Sequence, residues 1–139
     1  MERKIEMETI YGQVIPKANN YVAVNNGHGG QRLVKNDTMH QYEKSFSLQC
    51  RKYRNKRIAT EFRLYCVVYQ RSKRFDLDNS IKTILDCLQY VNAIVDDNLC
   101  VEIVAKKRVD KTNPRLEYGL QEVVEEHSLF EMHEAYHSR

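Results

Sequence analysis

No stretch of the chain approaches the ~20 consecutive apolar residues that a membrane-spanning helix requires. The opening Met1-Glu2-Arg3-Lys4 lacks the apolar core of a signal peptide. No C-x-x-C pair occurs among Cys50, Cys66, Cys87 and Cys100, which excludes a zinc ribbon or a thioredoxin-like motif. In a reducing compartment the four read as small buried hydrophobes. Glycine and proline are scarce, 5 and 2 in 139 residues, about half the usual share, so wholesale disorder is not expected. The Gly-rich run at 27–30 has no following G-K-[ST], so a nucleotide cofactor is not expected. These absences leave one soluble, cytoplasmic domain as the expectation, long enough to bury a core without disulfides or a structural metal.

What the chain does have is segregated charge. The net charge of +3 names no partner, but its distribution is uneven. Residues 51–74 hold Arg51, Lys52, Arg54, Lys56, Arg57, Arg63, Arg71, Lys73 and Arg74 against one acid, Glu61. From 76 to 102 the balance inverts: Asp76, Asp78, Asp86, Asp96, Asp97 and Glu102 face only Lys82. A basic stretch beside an acidic cluster fits a polyanion-binding surface around a metal centre, or simply a solvated helix end and loop.

Hydropathy periodicity gives a β-α-β-α-β-β order followed by a C-terminal helix, an α+β class. A strand covers most of 4–15, with Ile5, Met7, Thr9 and Tyr11 on one face, until Pro16. Residues 17–35, with Asn25-Asn26-Gly27 and Gly29-Gly30, read as loop. A helix starts near Asp37-Thr38, where Thr38 and Gln41 fit a capping box, and ends in the basic run 51–57. Residues 60–69 alternate as a strand, and Ile81, Ile84, Leu85, Leu88 and Val91 make the apolar stripe of a helix over 78–91. Strands over 100–109 and 115–123 are joined by a polar loop and read as a hairpin. The domain then covers 1–123, with an acidic, His-containing extension over 124–139.

The carboxylates carry the chemistry. Asp76 and Asp78 stand two apart where the second strand enters the second helix, and Asp96-Asp97 follows that helix. A helix start needs only one capping oxygen. Several carboxylates held together repel unless a hard cation such as Mg²⁺ neutralises them, and that ion can activate water and polarise a phosphoryl oxygen. Lys82, one turn after Asp78, can stabilise charge developing on a phosphate.

Asp76-Leu77-Asp78-Asn79, Lys82, Asp86 and Asp96-Asp97 resemble the D-x-D-N-x-x-K and later D-D signature of the RusA family, Holliday junction endodeoxyribonucleases of bacteria and their phages. Pro16, Asn19-Asn20 and Tyr21 resemble that family's P-x-N-N-Y-like loop, with one additional residue here. The resemblance covers roughly 5–123 and implies a two-layer α+β fold with a mixed four-stranded sheet. It implies that Asp76, Asp78 and Asp97 hold Mg²⁺, that Asp96 is a less certain ligand, that Lys82 assists catalysis, and that Asp86 holds Lys82 in place. It also implies a homodimer acting on four-way DNA junctions in recombination and repair by paired nicks; a non-cleaving binder of branched DNA is the alternative. Phosphate contacts are expected from the basic segment, Arg71, Lys73 and Arg74 above all, from Lys106-Lys107-Arg108 and from the loop with Asn19 and Asn20. Phe75 either stacks on an opened base or packs in the core. In the extension, His133-Glu134-Ala135-Tyr136-His137 spells H-E-x-x-H, but polar flanks and the want of a downstream third ligand argue against a zinc protease.

Overall fold

The computed structural model describes residues 5–18 and 20–123. The tail with its expected helix and the H-E-x-x-H run, and Asn19, lie outside the described residues. Six strands and two helices follow in order: β1 (Glu8–Tyr11), β2 (Tyr21–Asn25), β3 (Gln31–Lys35), α1 (Asp37–Gln49), β4 (Phe62–Gln70), α2 (Leu77–Tyr90), β5 (Cys100–Val109) and β6 (Arg115–Glu122). A 3₁₀ turn, Asp97–Leu99, precedes β5. Among the described residues no helix is long and apolar enough to cross a membrane.

β4 organises the molecule. Its inward residues Phe62, Leu64, Cys66, Val68 and Gln70 are buried, and the alternating ones are half-buried. It pairs on both sides in a sheet of order β1-β6-β4-β5, parallel to β5 and antiparallel to β6. Parallel neighbours need a crossover, and α2 supplies it. The expected β5–β6 hairpin is therefore not formed. The loop between them passes over the end of β4, where the Asp110 N–H reaches the Gln70 carbonyl at 2.8 Å. A short polar connection looked like a hairpin because sequence spacing does not show an intervening third strand.

The core lies between the inward face of this sheet and the two helices. Ile81, Ile84, Leu88 and Val91 of the expected stripe are buried against Phe46, Leu64 and Tyr118, and Leu85 is partly buried at its edge. Cys50, Cys66 and Cys87 are buried free thiols, as the composition led one to expect. Burial pushes the Cys66 thiol up to about 12.

Three local expectations are corrected. Residues 17–35 are not simply loop: β2 and β3 pair as a two-stranded hairpin, Val22 opposite Val34 and Val24 opposite Arg32. Its turn is the Asn- and Gly-rich stretch, where Gly27 and Gly29 adopt positive φ. β1 is shorter than the expected 4–15, covering only Glu8–Tyr11, and its buried residues are Glu8 and Ile10, on the face opposite to Thr9 and Tyr11. Tyr118 Oη donates to Glu8 Oε1 at 2.6 Å, so a charged residue holds an inward position and hides the pattern. Helix α1 is capped by Asn36, whose Oδ1 accepts from the Met39 N–H at 2.9 Å, rather than by Thr38. It ends at Gln49, ahead of the basic run.

Candidate nucleic-acid and metal site

Of the nine basic residues of 51–74, six precede β4 or lie at its start and three follow it, on either side of a strand roughly 25 Å long at about 3.3 Å per residue. Arg51 and Lys52 donate their backbone N–H groups to Glu8 Oε2, both at 2.8 Å. Lys52 Nζ reaches the Met7 carbonyl, and Arg54 bonds Cys50 and Ser47. These bonds tie the segment that follows α1 to β1 and the residue before it. At the other end, the side chains of Arg71, Lys73 and Arg74 are exposed and make no ion pair among the described residues. The parallel pairing of β4 and β5 brings Lys106, Lys107 and Arg108 to this same end.

Asp76 and Asp78 start α2 here, both exposed. Asp76 occupies the N-cap position, yet its carboxylate makes no capping hydrogen bond. Its backbone carbonyl is held instead by the Ser80 N–H and hydroxyl, each at 3.3 Å. Ser80 in turn accepts from buried Gln70 Nε2 at 2.9 Å. The main chain at Asp76 is thus fixed from the core while its side-chain oxygens are left for another partner. Phe75 is half-buried, outside the hydrophobic core, and lines a cleft with Pro16, Arg74, Asp76 and Asn79.

Lys82 is exposed one turn further along α2 and lines a second cleft with Lys17, Tyr21, Leu33 and Asn79. The expected Asp86–Lys82 contact is replaced: Asp86 Oδ2 pairs with Lys17 Nζ at 2.9 Å. That bond, ahead of the opposing effect of burial, holds the Lys17 ammonium above its ordinary value. Lys17 is also 5.9 Å from the centre of the Tyr21 ring. A third cleft, of about 500 Å³, is lined by Lys17, Tyr21, Lys35, Glu43, Asp86 and Asp97 among others.

Asp97 sits at this third cleft. Its N–H donates to Gln89 Oε1 at 3.2 Å, which fixes the turn against the end of α2. Burial, then the crowding of Asp96 and Asp86, pushes its carboxyl up, and Lys17 opposes that rise. Asp96 caps the 3₁₀ turn through Asn98 N–H at 2.9 Å. The acids therefore fall into two groups on one side of α2. Asp78 and Asp86 are separated by about 12 Å along the axis at about 1.5 Å per residue. Asp97 is brought to Asp86 and not into a cluster with Asp76 and Asp78. Among the described residues no three His, Cys, Asp or Glu side chains come together to hold a metal ion.

Mg²⁺ is commonly bound through one or two carboxylates, with waters and substrate phosphates completing its shell. The idle oxygens of Asp76 and Asp78 fit that donor set, and the anionic crowding at Asp97 is of the kind a hard cation relieves.

Asn20 is engaged within the protein. Its Nδ2 donates to the Pro16 carbonyl at 2.7 Å and its Oδ1 accepts from Asn36 Nδ2 at 2.9 Å, joining the hairpin's base to the α1 cap. Sequence reasoning missed Lys17 and Gln70. The one signal for Lys17 was that it falls where this chain has an additional residue after Pro16. Gln70 carried none, since it alternates in register with apolar β4 residues.

A mixed sheet with a β-α-β crossover, a basic end and uncompensated carboxylates opening the crossover helix defines a protein built to meet a polyanion. Residues 12–120 match the family model described as Endodeoxyribonuclease RusA. The chain belongs to the RusA family of Holliday junction resolvases and is a crossover junction endodeoxyribonuclease. Among curated proteins no match is found.

Proposed function

We propose that this endonuclease is Mg²⁺-dependent and resolves four-way junctions by paired phosphodiester hydrolysis, as a homodimer, in recombination and repair. The observation that carries the reading is the idle carboxylate pair: Asp76 at an N-cap it does not cap, and Asp78 beside it, bordered by cations without an ion-pair partner among the described residues. Asp76 and Asp78 hold the ion; Asp97, seated beside Asp86 and apart from that pair, would join them as a further acidic ligand only if its turn shifts toward them. When bound, Mg²⁺ polarises a phosphoryl oxygen and lowers the pKa of a bound water.

The chain's own residues do the rest. Arg71, Lys73 and Arg74 neutralise backbone phosphates and fix the register of the strand without reading its sequence. Phe75 stacks on a base unpaired at the crossover. Lys82 stabilises the charge that develops on the phosphate and its leaving oxygen. Asn20 sets the loop that borders this strand, and Asn19 is the loop's contact to the DNA backbone. Two copies related by a two-fold axis match the two-fold character of the substrate and place equivalent sites on strands of like polarity.

The test is a nicking assay on a synthetic four-way junction beside linear duplex, with Mg²⁺ or excess chelator. Paired nicks in the junction only, abolished by chelator and restored by Mg²⁺, are expected. Junction binding without cutting at any Mg²⁺ concentration would make the protein a branched-DNA binder. Cutting that persists in chelator would remove the metal from the mechanism.

A further inference from the structure

The loop 71–76 carries the cations, Phe75 and Asp76, yet it has no regular secondary structure. Its two ends are secured. The Arg71 N–H donates to Gln13 Oε1 at 2.9 Å, and the Asp76 carbonyl is held by Ser80. Between them, one side chain from outside the loop and α2 bonds residues 72–75 among the described residues: Lys107 of β5. Its Nζ donates to the Phe75 carbonyl at 3.1 Å and to the Lys73 carbonyl at 3.3 Å. Lys107 aligns with buried Val68 of β4, so it stands on the helix-bearing face of the sheet. Lys106 and Arg108, on the alternate face, have no such task. The ammonium makes no ion pair with a carboxylate among the described residues.

We propose that Lys107 is a positioning residue of the cleavage reaction: a cationic clamp that fixes the peptide units on which Phe75 and Asp76 are presented. A charged donor shared by two carbonyls is a stronger tie than a neutral one. It removes freedom from a segment that must otherwise be ordered each time substrate binds. Lys107 touches main chain, so its effect on chemistry runs through Asp76. The inference therefore rests on the reading of Asp76 as a metal ligand.

The test compares Lys107→Met, which keeps the apolar stem, with Lys107→Arg, which restores a charged donor. Four quantities are measured: single-turnover cleavage against Mg²⁺ concentration, junction Kd in chelator, hydrogen exchange of 71–77, and Tm. Loss of an outer support of a metal ligand costs roughly 10–100-fold in activity or metal affinity. Lys107→Met should slow cleavage within that range, raise the half-saturating Mg²⁺ concentration, speed exchange in the loop and leave Kd within about twofold. Lys107→Arg should recover most of the rate. A wild-type rate in Lys107→Met overturns the proposal. So does a loss that resides in Kd with a shallower salt dependence, which marks a phosphate contact, or a lowered Tm with an unchanged Mg²⁺ response. Asp76→Asn run in parallel separates the two readings. If it cuts normally, the metal reading fails; if it is inactive while Lys107→Met is normal, only the clamp fails.

Discussion

The two ends of β4 are both rich in charge and use it in opposite ways. Beside its first half, Glu8, level through Tyr118 with Cys66, is buried, yet its carboxylate accepts from Tyr118 and from the backbone of Arg51 and Lys52. At its finish Asp76 and Asp78 are exposed, and the cations beside them form no ion pair among the described residues. Folding accounts for the first set of charges and gives the second nothing to do. Charge that a fold leaves idle and clusters on one surface is the physical signature of a binding site.

The comparison breaks most visibly at Asp76. Asp76→Asn should lower single-turnover cleavage by roughly a thousandfold, about 4 kcal/mol of transition-state stabilisation. It should leave Tm nearly unchanged and junction binding equal or tighter, because a repulsive charge near phosphate is gone. A variant that cuts at a comparable rate would take Asp76 out of the mechanism.

Glu8 is the counterpart. Glu8→Ala should cost about 2–3 kcal/mol of stability, seen as a lower denaturant midpoint, because the hydrogen bonds to a charged group are lost and Tyr118 is left buried. Cleavage per folded molecule should not change. Burial raises the Glu8 pKa, but the bonds from Tyr118, Lys52 and Arg51 outweigh it and hold the carboxyl below its ordinary value of 4.5. Its contribution is therefore complete above the unfolded value and disappears as pH falls through the folded one. Glu8→Gln should flatten the stability–pH curve below about pH 4.5; an unchanged acid limb would contradict the assignment.

Two smaller effects sharpen the contrast. Lys82→Ala should slow cleavage roughly tenfold to thirtyfold with little change in junction affinity, in keeping with the weight of one electrostatic donor; an unaltered single-turnover rate argues against it. Replacing Arg71, Lys73 or Arg74 singly by Ala should reduce the slope of log K against log salt by about 0.9 for each phosphate no longer neutralised. The same change at Arg54, at the opposite end of the strand, should leave that slope alone.

Much of the frame was legible from residues. β4 and α2 announced themselves because alternation and a 3.6-residue stripe each persisted over more than eight positions. The D-x-D-N…K run pointed to both the helix start and the family, which the match over 12–120 bears out. The rest was hidden for physical reasons. The β2–β3 hairpin buries almost nothing, so it leaves no alternating pattern to read. Glu8 interrupts the β1 pattern because its bonding partners are distant in sequence. The placement of β4 between β5 and β6 is a matter of long-range pairing. Lys17 displaced Lys82 as the partner of Asp86 because the segment around Pro16 runs alongside α2, with the Ile15 carbonyl accepting from Thr83 Oγ1 at 2.5 Å and the Lys17 N–H reaching the Asn79 carbonyl at 3.5 Å.

Three of the four thiols are sealed in the core, and Cys100 alone is partly open, at the junction of the 3₁₀ turn and β5. That makes the native chain a ready-made carrier for a single fluorophore or spin label. A probe attached there would stand three residues from Asp97 and report on the surroundings of that turn, with no engineered cysteine required.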